Sequence, residues 1–267
     1  MTRPHRYAAT FARCAEEQRA AFIPFVVLGD PDFDTSASLL RTLVDNGADA
    51  VELGLACSDP TADGPVIQAA HTRALDAGAT VARSFDLIAS LRAAHPDLPI
   101  GLLTYANLVV TVPGFHRRSA EAGVDSVLVA DVPLHEGERF SAAALEHDVD
   151  PIFIATPDLD DDELERLAQL SRGYTYCVSR AGVTGAGAEV SPPRALFERL
   201  QAAGAPPAAL GFGLSAPEHV QQAFDAGAAA AISGSAVVHQ LASALPDRRR
   251  GVENVGAFVQ NMRGQRG

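Results

Sequence analysis

The stretch "VELGLACSDPTADGP", residues 51–65, carries three carboxylates, Glu52, Asp59 and Asp63, and no basic side chain to neutralise them. Two readings stand side by side. A solvated acidic surface would be inert, whereas acids set around a substrate would do acid/base chemistry. Taken alone, Glu52 in an apolar strand also reads as a paired structural acid. Asp63, just before Gly64-Pro65, also reads as a turn residue or helix cap.

The rest of the composition narrows the chemistry. All 21 basic residues are Arg and the chain has no lysine, so a Schiff base on a lysine amine is excluded, as is a lysine-attached pyridoxal. Cys14, Cys57 and Cys177 are scattered without metal-ligand spacing and suit a reducing cytoplasm. The eight His fall mostly on helix or loop patterns and form no evident ligand set, so no metal is expected. A net charge of −12 argues against nucleic acid or an anionic membrane as the main partner. No apolar run reaches the roughly 20 residues of a membrane span, and no secretory leader pattern is expected, which points to a cytoplasmic protein. With Trp absent, an aromatic ligand would be gripped by Phe, Tyr and aliphatic side chains.

These residues need elements to position them. Apolar runs at 21–29, 50–54, 100–106, 125–131, 150–156, 174–181, 208–213 and 229–233 read as strands buried on both faces. Helical patterns such as "TSASLLRTLVDNG" and "DDELERLAQLSRG" separate them. "DNGADAVELG", "EAGVDSVLVAD" and "DAGAAAAISGS" each end a helix on a Gly and enter a strand, as a left-handed helix terminus requires. Eight strands alternating with helices predict an α/β fold, a (β/α)8 TIM barrel, as one domain over residues 1–267. An open doubly wound sheet is the alternative, weakened because no G-x-G-x-x-G follows the first strand. "RYAATFARCAEEQRA" predicts an extra N-terminal helix that closes the barrel base. "DDDEL" reads as the acidic start of a helix.

In such a barrel chemistry collects at the C-terminal ends of the strands. Glu52, Asp63, Tyr105, Asp131, Tyr176, Ser179 and Arg180 fall there. After the seventh and eighth strands come "GFGLS" and "SGSA", each opening a helix. Small residues at such helix starts let backbone N–H groups approach a phosphate, though a glycine there also serves a plain tight turn.

Seven segments, "FIPFVVLGDP", "VELG…SDPTADGPVIQ", "GLLTYANLV", "GVDSVLVADVP", "RGYTYCVSRAGVTG", "GFGLS" and "AISGSA", resemble the α subunit of tryptophan synthase in order and spacing. The resemblance runs from about Phe22 to Gln240. It implies a (β/α)8 barrel and a lyase of tryptophan biosynthesis that cleaves indole-3-glycerol phosphate to indole and glyceraldehyde 3-phosphate. It implies no metal and no cofactor in this chain, with pyridoxal phosphate only in a β subunit of an αββα complex. Carried over residue by residue, Glu52 is the catalytic proton shuttle and Asp63 the ionised acceptor of the indole N–H. Phe25, Leu103, Tyr105, Ala130, Ile154 and Phe212 line the indole pocket, and Tyr176 lies beside Glu52 and the glycerol chain. Gly185, Gly213, Gly234 and Ser235 give backbone N–H groups to the phosphate. Thr184 closes over Asp63 in a lid at 183–193.

The resemblance has departures. Ala56 and Cys57 stand where the family usually has Pro and an aromatic, in a segment that faces the β subunit, and this implies a loosened loop. Asp59, Asn107 and Pro133 match other partner-facing positions, and the lid is Gly/Ala-rich and short. A conventional α subunit, a stand-alone lyase releasing free indole, and a non-catalytic barrel that activates β therefore all remain open.

Overall fold

A computed structural model describes residues 6–178, 192–211 and 213–263. Among the described residues nine strands form one parallel sheet: β1 (Ala21–Val27), β2 (Val51–Gly54), β3 (Ile100–Thr104), β4 (Ser126–Val129), β5 (Asp150–Ile152), β6 (Ile154–Ala155), β7 (Thr175–Cys177), β8 (Ala208–Leu210) and β9 (Ala230–Ser233). The hydrogen-bonded order is β5-β4-β3-β2-β1-β9-β8-β7-β6. The strand expected at 150–156 is thus two pieces. β5 pairs with β4, and β6 pairs with β7, with Phe153 between them. Because β5 and β6 are consecutive in the chain, this one segment joins both edges of the sheet and the barrel closes through it.

The helices form the outer ring. Helix α1 (Arg6–Glu16) precedes β1, and α2 (Phe33–Asp45) joins β1 to β2. Next come α3 (Pro65–Asp76) and α4 (Val81–Ala94) before β3, then α5 (Ala106–Thr111) and α6 (Phe115–Ala122) before β4. Helix α7 (Gly137–Leu145) leads to β5, α8 (Asp161–Leu170) to β7, α9 (Arg194–Ala202) to β8 and α10 (Pro217–Ala226) to β9. Helices α11 (Ser235–Ala242) and α12 (Arg248–Arg263) end the described chain. The three helix-ending glycines behave as their motifs predict: Gly47, Gly123 and Gly227 have φ of +96°, +90° and +107°. Asp160 and Glu163 form a reciprocal capping box on α8, which explains the acid run there. Among the described residues no helix is long and apolar enough to cross a membrane.

Strand alternation decides what faces the barrel interior. Phe22, Val26, Val51, Leu53, Ile100, Leu102, Val127 and Cys177 point outward into the core shared with the helices. Their neighbours in sequence point inward: Ile23 and Phe25, Glu52 and Gly54, Leu103, Leu128, Tyr174 and Tyr176. The expected base helix is present. Tyr7, Phe11 and Cys14 of α1 are buried in the inner cluster, and Tyr7 shares a 2.8 Å hydroxyl contact with Ser126. Two buried acids pin this end. Asp49 takes Arg13, Arg19 and the Phe22 N–H, and Asp125 takes Arg6, Arg92 and the Ile100 N–H. Each acid is paired and hydrogen-bonded, as a buried charge must be.

Candidate active site

Glu52 sits mid-strand on β2 and faces inward, in register with Phe25 on β1 and Gly101 on β3. It is 1% exposed. Tyr174 donates its hydroxyl to Oε1 at 2.9 Å, and Oε2 is buried without a partner among the described residues. Burial pushes the Glu52 carboxyl up to about 7; the Tyr174 hydrogen bond pulls the other way, and the nearby Asp63 charge adds to the rise. Such a group can both hold and release a proton near neutrality.

Asp63 comes from the loop between β2 and α3. The loop is a tight one: Thr61 N–H donates to the Asp59 carbonyl, Asp63 N–H to the Pro60 carbonyl, and Gln68 Nε2 to the Asp63 carbonyl at 2.7 Å. Pro65 then opens α3, where its fixed φ suits the first helical position. The Asp63 side chain is buried, and its Oδ2 accepts the Tyr105 hydroxyl at 2.6 Å and faces His71 Nε2 at 3.1 Å. Burial and the Asp63 carboxylate both drive the Tyr105 phenol far up, so it remains a donor. Asp59 is exposed and joins neither carboxylate.

Around these acids lie small and apolar residues. Gly54 leaves room for the Phe25 ring, because a Cβ there would come within 2.8 Å of Phe25 Cζ. Leu103 packs on both inner clusters, and Ala130 and Ile154 pack half-buried on the cluster that contains Tyr176. Tyr176 is buried and its ring lies against Gly211. Its phenol is raised first by burial, then by the charges of Glu52 and Asp63. The loops after β8 and β9 are tied together by Ser233 Oγ donating to the Leu214 carbonyl at 2.6 Å. Gly213 (φ +76°) lies in one loop. Gly234 caps α11 in the other, 3.4 Å from the Phe25 ring if given a Cβ, and Ser235 is the first residue of α11. The start of α11, whose first N–H groups have no intrahelical carbonyl to pair with, thus lies near the Phe25 ring.

The profile of the tryptophan synthase alpha chain family matches residues 11–266. A tryptophan synthase alpha chain from Vibrio vulnificus is 52% identical over 261 residues, 97% of each chain. One from Shewanella oneidensis is 50% identical over 268 residues, 98% of this chain and 96% of that one. The chain belongs to the tryptophan synthase alpha chain family. Solved structures agree. Tryptophan synthase subunit alpha from Legionella pneumophila superposes with a TM-score of 0.87 at 27% identity, over 97% of each chain. The tryptophan synthase complex from Pyrococcus furiosus does so at 0.82 and 31%, over 92% of this chain and 99% of that one.

Within this tryptophan synthase alpha barrel, Phe212, Thr184, Gly185, Ser179 and Arg180 lie outside the described residues. Asp131 stays at the rim, where Oδ1 accepts the Ala106 N–H at 2.8 Å and ties the β3 and β4 ends together. Two site residues escaped the sequence reading. Tyr174 donates its hydroxyl to Glu52; the signal was its place two residues before Tyr176, hence on the same strand face. His71 is 1% exposed, and the signal was its i+4 place between Ile67 and Ala74 on the buried face of α3. The segment that carries the Ala56 and Cys57 departure makes specific contacts. Cys57 is buried, its N–H donates to His71 Nδ1 at 3.1 Å, and Leu55 N–H donates to the Leu103 carbonyl.

Proposed function

We propose that Glu52 and Asp63 carry out a retro-aldol cleavage of indole-3-glycerol phosphate to indole and glyceraldehyde 3-phosphate. The observation behind this is a buried carboxyl held near 7 that shares the barrel mouth with a second carboxylate already fixed by neutral donors. Glu52 gives its proton to indole C3, and positive charge develops on the ring nitrogen. Asp63, ionised, accepts the indole N–H and stabilises that charge. Glu52 then takes the proton of the glycerol hydroxyl next to the ring. The oxygen's electrons form the aldehyde, the carbon–carbon bond breaks, and its electron pair restores the aromatic indole. One proton leaves Glu52 and one returns, so the cycle needs no co-reactant. The single acid is donor and base in turn, work worth about 10²–10⁴-fold in rate.

Phe25, Leu103, Tyr105, Ala130 and Ile154 hold the indole, with Phe212 assigned by position alone. Tyr176 borders the glycerol chain. The phosphate takes N–H groups of Gly213, Gly234 and Ser235, with Gly185 and the closing contact of Thr184 assigned from the family pattern. No cofactor resides in this chain, and no lysine exists to anchor pyridoxal phosphate, which belongs to the β partner. The partner is a tryptophan synthase β chain in an αββα complex. The tethered Leu55–Cys57 segment favours this arrangement over a stand-alone lyase, whose argument rested on a loosened loop.

Indole release from indole-3-glycerol phosphate, by the chain alone and with a β chain, tests the reading. Glu52→Gln should abolish cleavage while a substrate analogue still binds, and Asp63→Asn should cut turnover severely. Substantial activity in Glu52→Gln removes Glu52 as the shuttle.

A further inference from the structure

The roles above leave His71 unused, although it touches Asp63. Its Nδ1 receives the Cys57 backbone N–H at 3.1 Å. A backbone amide can only donate, so Nδ1 carries no proton and the proton of the ring lies on Nε2. Nε2 faces Asp63 Oδ2 at 3.1 Å. Tyr105 donates to the same oxygen at 2.6 Å. Oδ1 accepts no hydrogen bond among the described residues. Two donors on one oxygen fix the rotation of the carboxylate about its Cβ–Cγ bond and leave the other oxygen for a ligand.

The chemistry of the donors matters as much as their place. An Arg at this position would cancel the Asp63 charge and blunt its pull on a developing cation. A neutral imidazole and a neutral phenol orient the anion and leave its charge for the substrate. The ring is held from both sides and is shut off from solvent, so neither its flip state nor its tautomer is free to drift.

We propose that His71 is a positioning residue for the lyase reaction: the Cys57 amide sets its Nε2–H tautomer, and that N–H holds Asp63 Oδ2 so that Oδ1 meets the indole N–H. This rests on the reading of Asp63 as the indole acceptor. It adds that the backbone of the segment after β2 reaches the reacting ring through one imidazole.

The test compares His71→Leu, His71→Gln and Asp63→Asn with the wild-type chain. Leucine fills the volume without a donor, and the glutamine amide reaches about where Nε2–H lies. Steady-state indole release gives kcat and KM, with and without a β chain, and ¹⁵N shifts of the His71 ring report the tautomer in the wild type. In His71→Leu, kcat should fall roughly 10- to 100-fold, the size of one hydrogen bond to a charged group, with KM changed less than about 3-fold. His71→Gln should recover most of kcat, and the wild-type ring should show Nε2–H. A fully active His71→Leu overturns the proposal, as does His71→Gln impaired as badly as His71→Leu, or a ring proton on Nδ1. Inactive Asp63→Asn beside active His71→Leu sinks this proposal alone. Active Asp63→Asn sinks the reading of Asp63 and this proposal with it.

Discussion

Glu52→Gln should make the protein more stable at alkaline pH while destroying its activity. Glu52 has a folded value of about 7 against an ordinary value of 4.5. Between those values the folded chain holds a proton that the unfolded chain has released. Stability from this group is therefore full below 4.5 and is lost as pH rises through 7. Each unit of difference is about 1.4 kcal/mol, so the wild type should lose roughly 2–3 kcal/mol from Glu52 between pH 5 and pH 8. Glutamine has the same shape, can still accept the Tyr174 hydroxyl, and never ionises. Urea unfolding of both proteins at pH 5 and pH 8 isolates the effect of Glu52, because every other titrating group is common to the pair. The stability difference, Gln over Glu, should grow by roughly 2–3 kcal/mol between the two pH values. A difference that stays constant with pH would mean that Glu52 titrates normally, and the account of it as an acid poised near neutrality would be refuted. A chain that carries this cost at its working pH gives up stability for a poised proton.

Tyr105→Phe removes the 2.6 Å donor to Asp63 and should lower kcat about 10-fold in the indole-release assay; an unchanged kcat would leave Asp63 orientation to His71 alone. Gly54→Ala drives a methyl to 2.8 Å from Phe25 Cζ, and the displaced ring should raise KM and cost about 1–3 kcal/mol of stability by urea unfolding. His116 on α6 is buried with both ring nitrogens unpartnered among the described residues, and burial, with a smaller push from His147, holds it down at about 4 against 6.5. Its native form stays neutral while the unfolded form protonates, so stability falls as pH drops from 6.5 toward 4. His116→Leu should therefore stabilise the chain, by roughly 2 kcal/mol more at pH 5 than at pH 8. Equal gains at both pH values would show that His116 is not held neutral.

Much of the barrel was legible because its signals are local. A glycine past a helix end and a continuous apolar strand are set by backbone sterics and by burial on both faces, and each can be read within about ten residues. The acid pair was legible for the same reason, since Glu52 and Asp63 lie eleven positions apart on one strand and its loop. The split at Phe153 was not, because a continuous apolar run does not say that its first half pairs with β4 and its second with β7.

By itself the sequence determined the alternation of strands and helices, the absence of any lysine nucleophile, and the family through seven ordered segments. Tertiary structure alone decided which side of each apolar strand faces inward, because a strand apolar on both faces has no pattern to say so. It decided that Tyr174 reaches Glu52 across 122 positions and that Tyr105 reaches Asp63 across 42. It also decided that His71 bridges Cys57 and Asp63. The physical reason is one: a pKa and a tautomer are set by burial and by partners distant in the chain, and barrel closure brings those partners together.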